Sequence, residues 1–195
     1  RRINLIIESN HHGFVDGTTM TSSNSASNTY LRSALSILQE SADEINRLSA
    51  DNTTADAMRL IADTAVRLVD RRGADDPSTV IYSYDGDKAA FDPASRTSAG
   101  EREGPVAGDY PRPDGMGARA IRHRKRMLSY EDPSLPMQDN KIQAGIRAMA
   151  CYPLIVAEKP TGALYISLKN ERRFSKEELL IFDLFAKQAA VALHN

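Results

Sequence analysis

"CYPLIVAEKPTGALYI", residues 151–166, is the stretch on which the fold turns. Two apolar runs, about Met149 to Ala157 and Ala163 to Leu168, flank "EKPTG". Short apolar runs bounded by turn residues predict strands, so the pair reads as one antiparallel hairpin. Pro160 suits its turn, where a fixed φ is useful. Pro153 falls inside the first strand and has no N–H for the ladder, so it must face an edge, a bulge or an opening. The stretch also holds the only cysteine, Cys151. Its neighbours are Ala150 and Tyr152, with no histidine or second thiol nearby, which reads as inert core or pocket wall rather than a reactive centre.

Downstream of the hairpin, Ser175 and Glu178 have the spacing of a capping box, with Phe174 and Leu179 at the positions of a hydrophobic staple. The helix they open runs to Leu193 and is apolar over much of its circumference. Upstream, "NKIQAGIRA" and "GARAIRHRKR" read as short helices and "MLSYE" as a short strand. Residues 92–117 hold five glycines and four prolines and read as one long irregular loop, a place where function often resides. Before it, Val80, Tyr82 and Tyr84 alternate along a strand. Asp85-Gly86 marks a hairpin turn, and a second strand runs through Phe91. Thr53 and Asp56 resemble a capping box opening a helix whose apolar face is Met58, Ile61, Ala62, Ala65, Leu68 and Val69, with Gly73 and Pro77 as stops.

Leu31, Leu35, Leu38, Ala42, Ile45 and Ser49 repeat at heptad spacing, the last position being polar. They predict either a coiled-coil seam or an amphipathic helix packed on its own domain. Residues 1–29, ending in "TTMTSSNSASN", read as a linker or flexible tail, residues 30–50 as a signalling or dimerisation helix, and residues 51–195 as the folded domain. The order of elements has no βαβ rhythm. It predicts an α+β fold, with a largely antiparallel central sheet and its helices segregated to one face.

At 195 residues the chain has room for one domain of about 150 residues with flanking segments. It is 41% hydrophobic, and 25 basic residues balance 26 acidic ones, which gives no reason to expect nucleic acid or a membrane surface as partner. No apolar run reaches the roughly 20 residues that span a bilayer. A single cysteine excludes an internal disulfide and fits a reducing cytoplasm. The chain does not begin with Met and is read as an excised piece of a longer protein.

"GMGARAIRHRKRMLSYED", followed by "IRAMACYPLIVAEKPTGALYISLKNERRFSKEELLIFDLFAKQAAVALHN", resembles the second half of a GAF domain. The likeness lies in an ordered set. A Gly-rich entry leads to a short helix, and an apolar strand ends Pro-Leu. A turn to Gly opens a second apolar strand, and a charged turn with Phe-Ser and acidic residues opens an Ala-rich terminal helix. It covers about residues 53–194. The resemblance implies a PAS-like, profilin-type three-layer arrangement with a small-molecule pocket between the sheet and the middle segment. It implies a regulatory, non-enzymatic module of a cytoplasmic signalling protein, such as a two-component histidine kinase, a cyclase or phosphodiesterase, or a transcription activator. It further implies a homodimer through residues 30–50 and 176–194, coupled to an output domain. The alternative is a ligand-free dimerisation scaffold.

Pocket-facing candidates are Tyr82, Tyr84, Tyr110 and Met116, together with Ile121, Met149, Cys151 and Tyr165, chosen as apolar or amphipathic residues on strands or loop facing the expected hollow. The ligand is left unidentified, and three known types fit poorly. Cyclic-nucleotide GAF domains resemble Asn-Lys followed by Phe-x-x-x-Asp-Glu, whereas this chain has Lys169-Asn170, Phe174 and Glu178-Leu179. Bilin attachment resembles a cysteine followed by histidine in a helix or loop, whereas Cys151 precedes Tyr152 in a strand. Haem would rest on His123, which lies in the basic run Arg119, Arg122, Arg124, Lys125 and Arg126. That run either steers an anionic ligand or is a solvated helix face. His11-His12 is read as exposed, and no metal-ligand spacing occurs. Some GAF domains reduce free methionine sulfoxide, chemistry that resembles more than one thiol at work, and one cysteine argues against it.

Overall fold

The computed structural model describes residues 18–48, 53–70, 76–100 and 111–194, with side chains from residue 25 onward. Helices α1 (Thr18–Arg47) and α2 (Thr54–Leu68) precede strands β1 (Ser78–Asp85), β2 (Ala90–Phe91) and β3 (Thr97–Gly100). Helix α3 (Met116–His123), strand β4 (Met127–Leu128) and helix α4 (Asp139–Gln143) lead to β5 (Ala148–Val156), β6 (Lys159–Leu168) and α5 (Lys176–His194). The fold is α+β, and the six strands form one open sheet in which every pairing is antiparallel. Its order is β2-β1-β6-β5-β4, and β3 pairs with the other half of the β1 edge that carries β2.

The β5–β6 hairpin is the spine, and its turn differs from the expected "EKPTG". The two turn residues are Ala157 and Glu158, both at positive φ (47° and 67°), the signature of a type I′ turn. Pro160 therefore lies in β6, opposite Ile155. The register steps from Leu154↔Gly162 to Ile155↔Pro160, which leaves Thr161 as the bulged residue, its hydroxyl donating to the Leu154 carbonyl at 3.1 Å. Pro153 faces an opening. The Met149 backbone points to the β4 side, because its carbonyl accepts from Ser129 N–H at 2.9 Å and its N–H donates to Ser129 Oγ at 3.0 Å. By strand alternation Pro153 points the same way, beyond the last β4 partner, Met127↔Cys151. A missing N–H there costs no ladder bond and blunts the edge.

Both faces of the sheet are covered, so the expectation of helices on one face is corrected. On one face Ala148, Ala150, Tyr152 and Leu154 of β5, with Leu164, Ile166 and Leu168 of β6, join the main core with α2 and α5. On the other, α3 packs over Cys151 and Ala163 through Ala120. The sequence of α3 looks polar because five of its turn-and-exit residues are basic, but Ala120 and Ile121 give it a narrow buried stripe. The 92–117 stretch is also more regular than expected. Pro93–Ser95 forms a 3₁₀ turn capped by Asp92, and β3 pairs residue for residue with Ser78–Ile81.

Helix α1 starts at Thr18, so the Ser/Thr/Asn-rich segment expected as a tail is helical from that point. Propagating an established helix adds a hydrogen bond per residue, which lets weak helix formers extend one anchored elsewhere. The anchor is the face of Ala34, Leu38 and Ser41, buried against the domain. Tyr30 adds a hydrogen bond from its hydroxyl to the Leu68 carbonyl at 3.0 Å. Of the two readings of the heptad pattern, packing on its own domain holds for Leu38, whereas Leu35 stays 54% exposed. Residues 1–17, His11-His12 among them, and Gly73 lie outside the described residues.

Helix α2 opens with the expected Thr53–Asp56 capping box. The capping box of α5 is larger in consequence. Ser175 Oγ accepts from Glu178 N–H at 3.1 Å, and Glu178 Oε2 accepts from Ser175 N–H at 2.8 Å. The Glu178 side chain is fully buried and also takes both Arg172 nitrogens, at 2.7 and 2.9 Å, and the Asp70 N–H at 3.0 Å. Arg172 returns a bond to the Asp70 carbonyl at 2.8 Å. One carboxylate thus ties the end of α2 to the start of α5. Glu178→Ala would take away the carboxylate that Arg172 and two backbone N–H groups share, and removing one partner of a buried pair costs about 3–5 kcal/mol. The expected outcome is an unfolding free energy lowered by about that amount, read in equilibrium denaturation as a lower urea midpoint at an unchanged m-value.

Candidate functional site

A cavity of about 70 Å³ lies on the α3 face of the sheet, between the strands and the segment from Pro111 to Lys141. Its floor follows from strand parity. The cavity lies on the face of β1, β5 and β6 turned away from α2 and α5, and of the residues on that face Val80, Tyr82, Met149, Tyr165 and Ser167 line it. Tyr82 and Tyr165 meet edge to face, their ring centres 6.3 Å apart. Met116, at the start of α3, and Met137 complete an apolar wall. Methionine is unbranched and adapts its shape, so this wall can re-form around a guest.

Two local devices hold the cavity open at this place. Gly117 lets α3 settle on Tyr165, since a Cβ at 117 would overlap the Tyr165 hydroxyl. Arg119 on α3 donates to Asp132 Oδ2 at 3.0 Å and to Ser134 Oγ at 3.2 Å, pinning the segment that continues into Leu135 and the cavity roof. The Ser134 hydroxyl and N–H, helped by Arg119, keep the Asp132 carboxyl below the ordinary carboxylate range. Among the described residues, the charged ones on the lining are Arg112 and Lys141, and none is acidic.

Of the sequence candidates, Tyr82, Met116, Met149 and Tyr165 share this cavity. Tyr84 belongs to the same strand face but lies at the far hairpin, its ring 5.0 Å from Phe91. Ile121 is buried on α3 away from the lining, and Tyr110 lies outside the described residues. Cys151 is fully buried between Ala120 and Ala163, and burial pushes its thiol well above the ordinary range. Alternation from Tyr82 and Tyr165 points to Val80 and Ser167, but nothing in the sequence marks Arg112 or residues 135–141 as lining.

The other sequence motifs go elsewhere. Among the basic run, Arg119 braces the roof, Arg124 pairs with Glu158 and Arg126 pairs with Asp183. None of that run lines the cavity, so the cations beside it are different residues. Lys169 stands 4.0 Å from Asp76, and Glu178 is locked in its clamp, so the nucleotide-like Lys169-Asn170 and Phe174-to-Leu179 pieces do not reach the cavity. His123 is exposed, and among the described residues no group of three or more His, Cys, Asp or Glu side chains is placed to hold a metal. A second, open hollow of about 780 Å³ runs along the β4–α5 edge beside Pro153 and is bridged by the Arg126–Asp183 pair.

Solved structures with the same fold come from several kinds of protein. The GAF domain of a phosphoenolpyruvate-protein phosphotransferase from Coxiella burnetii superposes with a TM-score of 0.59 at 14% identity, covering 84% of this chain and 94% of that one. A methyl-accepting chemotaxis protein fragment, residues 122 to 287, gives 0.58 at 17% identity over 79% and 94%. Free methionine-R-sulfoxide reductase from Neisseria meningitidis, solved with its substrate, gives 0.56 at 12% identity over 83% and 88%. A comparison with curated proteins gave no match. The sequence profile described as GAF domain matches residues 51–194, and with a six-stranded antiparallel sheet covered on both faces, the chain belongs to the GAF domain family.

Proposed function

We propose that this chain is a ligand-sensing regulatory module of a cytoplasmic signal-transduction protein, binding a small molecule in the cavity beneath α3 and relaying occupancy through α1 and α5. The observation that carries this reading is the methionine- and tyrosine-walled hollow on strands whose opposite face supports α5. Residues of β5 alternate between the two, Met149 toward the cavity and Ala150 toward the main core, so a guest that moves one strand face loads the other. Tyr82, Met116, Met149 and Tyr165 are the proposed contacts. Among the described residues no helix is long and apolar enough to cross a membrane.

The relay is read as working in a homodimer. Leu180, Leu184 and Val191 are 56%, 41% and 44% exposed on α5. With Lys187 they are spaced 4, 3 and 4, a heptad seam on the side away from the core. A scaffold without ligand is the second reading, favoured by the small volume, about 70 Å³ against the roughly 150 Å³ hollow that admits benzene.

Thermal melting across a metabolite panel separates the two. A sensor gains stability from at least one compound, and a scaffold from none. Gly117→Ala should reduce that gain, since the Tyr165 ring must leave its seat. For the dimer, Leu180→Glu with Leu184→Glu should give a monomer in sedimentation analysis. Catalysis by a thiol is not part of the proposal. Cys151 should resist a disulfide reagent at pH 8 in the native state and react only as fast as the domain opens.

A further inference from the structure

We infer that the ligand is a small carboxylic acid, its carboxylate held by Arg112 and Lys141 and its apolar body by the methionine wall. This rests on the reading of the cavity as a ligand site. Among the described residues, two of those on the lining are cations and none is an acid, in a chain where acids slightly outnumber bases. The contrast with the rest of this face is the argument. Arg119, Arg124 and Arg126 each have a carboxylate partner in the fold, whereas among the described residues no carboxylate pairs with Arg112. Arg112 is exposed at the edge of the apolar hollow, where a bound carboxylate would meet its guanidinium in bidentate geometry. Gln138 and Ser167, also on the lining, offer neutral hydrogen bonds to the same end group.

Size narrows the class. About 70 Å³, enlarged only as far as Met116, Met137 and Met149 can turn aside, takes a short aliphatic or single-ring body and excludes a nucleotide. A bare inorganic anion would leave the apolar wall unused. Cationic ligands meet two like charges and are rejected.

The experiment pairs acids with their neutral amides: hexanoate with hexanamide, and phenylacetate with phenylacetamide, beside hexylamine and inorganic phosphate. Binding is read by thermal shift and calorimetry on the protein and on Arg112→Gln. The expected result is that an acid binds at least about tenfold more tightly than its amide, and that Arg112→Gln removes this preference while leaving the amide within about twofold. Amide or amine binding as tightly as acid overturns the inference and leaves the sensor reading standing. Phosphate binding alone does the same. If neither these compounds nor the metabolite panel shifts the melting temperature, the sensor reading fails and this inference with it. Should Arg112→Gln melt far below the parent without ligand, Lys141→Gln carries the test, with the same loss of acid preference expected and an unchanged preference overturning it.

Discussion

The β5–β6 ribbon is buried on both faces, and this constraint orders the rest of the domain. A strand covered on one side alternates apolar with polar residues, whereas one covered on both sides reads as a continuous apolar run. The run from Ala148 to Leu154 is of the second kind, with every residue but Pro153 buried. Such a ribbon cannot stand with one face in water, so something must roof the side that α2 and α5 leave bare. Helix α3 and the segment before α4 do so, but α3 is only eight residues long and covers Cys151 and Ala163 rather than the whole face. The cavity is the part of that face that α3 borders only through its first residue, Met116.

The other face is closed by longer helices, and there the packing is tied by charge as well as by area. Glu178 satisfies two backbone N–H groups and a bidentate guanidinium with no solvent access. Its worth is positional. A buried ion pair contributes little net stability over an apolar substitute, but it admits one geometry and rejects its neighbours. The end of α2 and the start of α5 are therefore fixed with respect to each other. Motion transmitted to α5 would have to come from its sheet-facing side or its C-terminal end.

The sequence made the spine of this fold readable because its signals are local and strong. Both capping boxes, the alternation of Val80, Tyr82 and Tyr84, and the two apolar runs each depend on residues a few positions apart. The errors are of two physical kinds. Pro160 marked a turn by composition, but the backbone turns at Ala157 and Glu158, residues with no special liking for positive φ, because the bulge at Thr161 sets the register. β3 has neither β-branched density nor alternation and is held by its pairing with β1, a tertiary effect that no window along the chain contains. The site follows the same division. Tyr82, Met149 and Tyr165 were reachable by parity, and Met116 by its place at the entry to α3. Cys151 and Ile121 have the right character but lie under or on the wrong side of α3, and only its placement decides that. Arg112 and the 135–141 segment come to the cavity through chain routing.

The lone cysteine shows how the two faces constrain chemistry. Position 151 points to the α3 face, the same side as Met149, yet two residues along the strand separate a cavity wall from a sealed site. Ala120 packs over the thiol, and burial raises its pKa far more than the hydrogen bond with the Tyr165 side chain lowers it. The neighbouring Tyr165 belongs to both environments, packed beside Cys151 in the small cluster under α3 and lining the cavity. Its ring can sit there only because residue 117 lacks a side chain. On the proposed reading, Tyr165 is therefore where an arriving ligand first meets α3, and its cross-strand partner Cys151 is inert packing that keeps that contact in register.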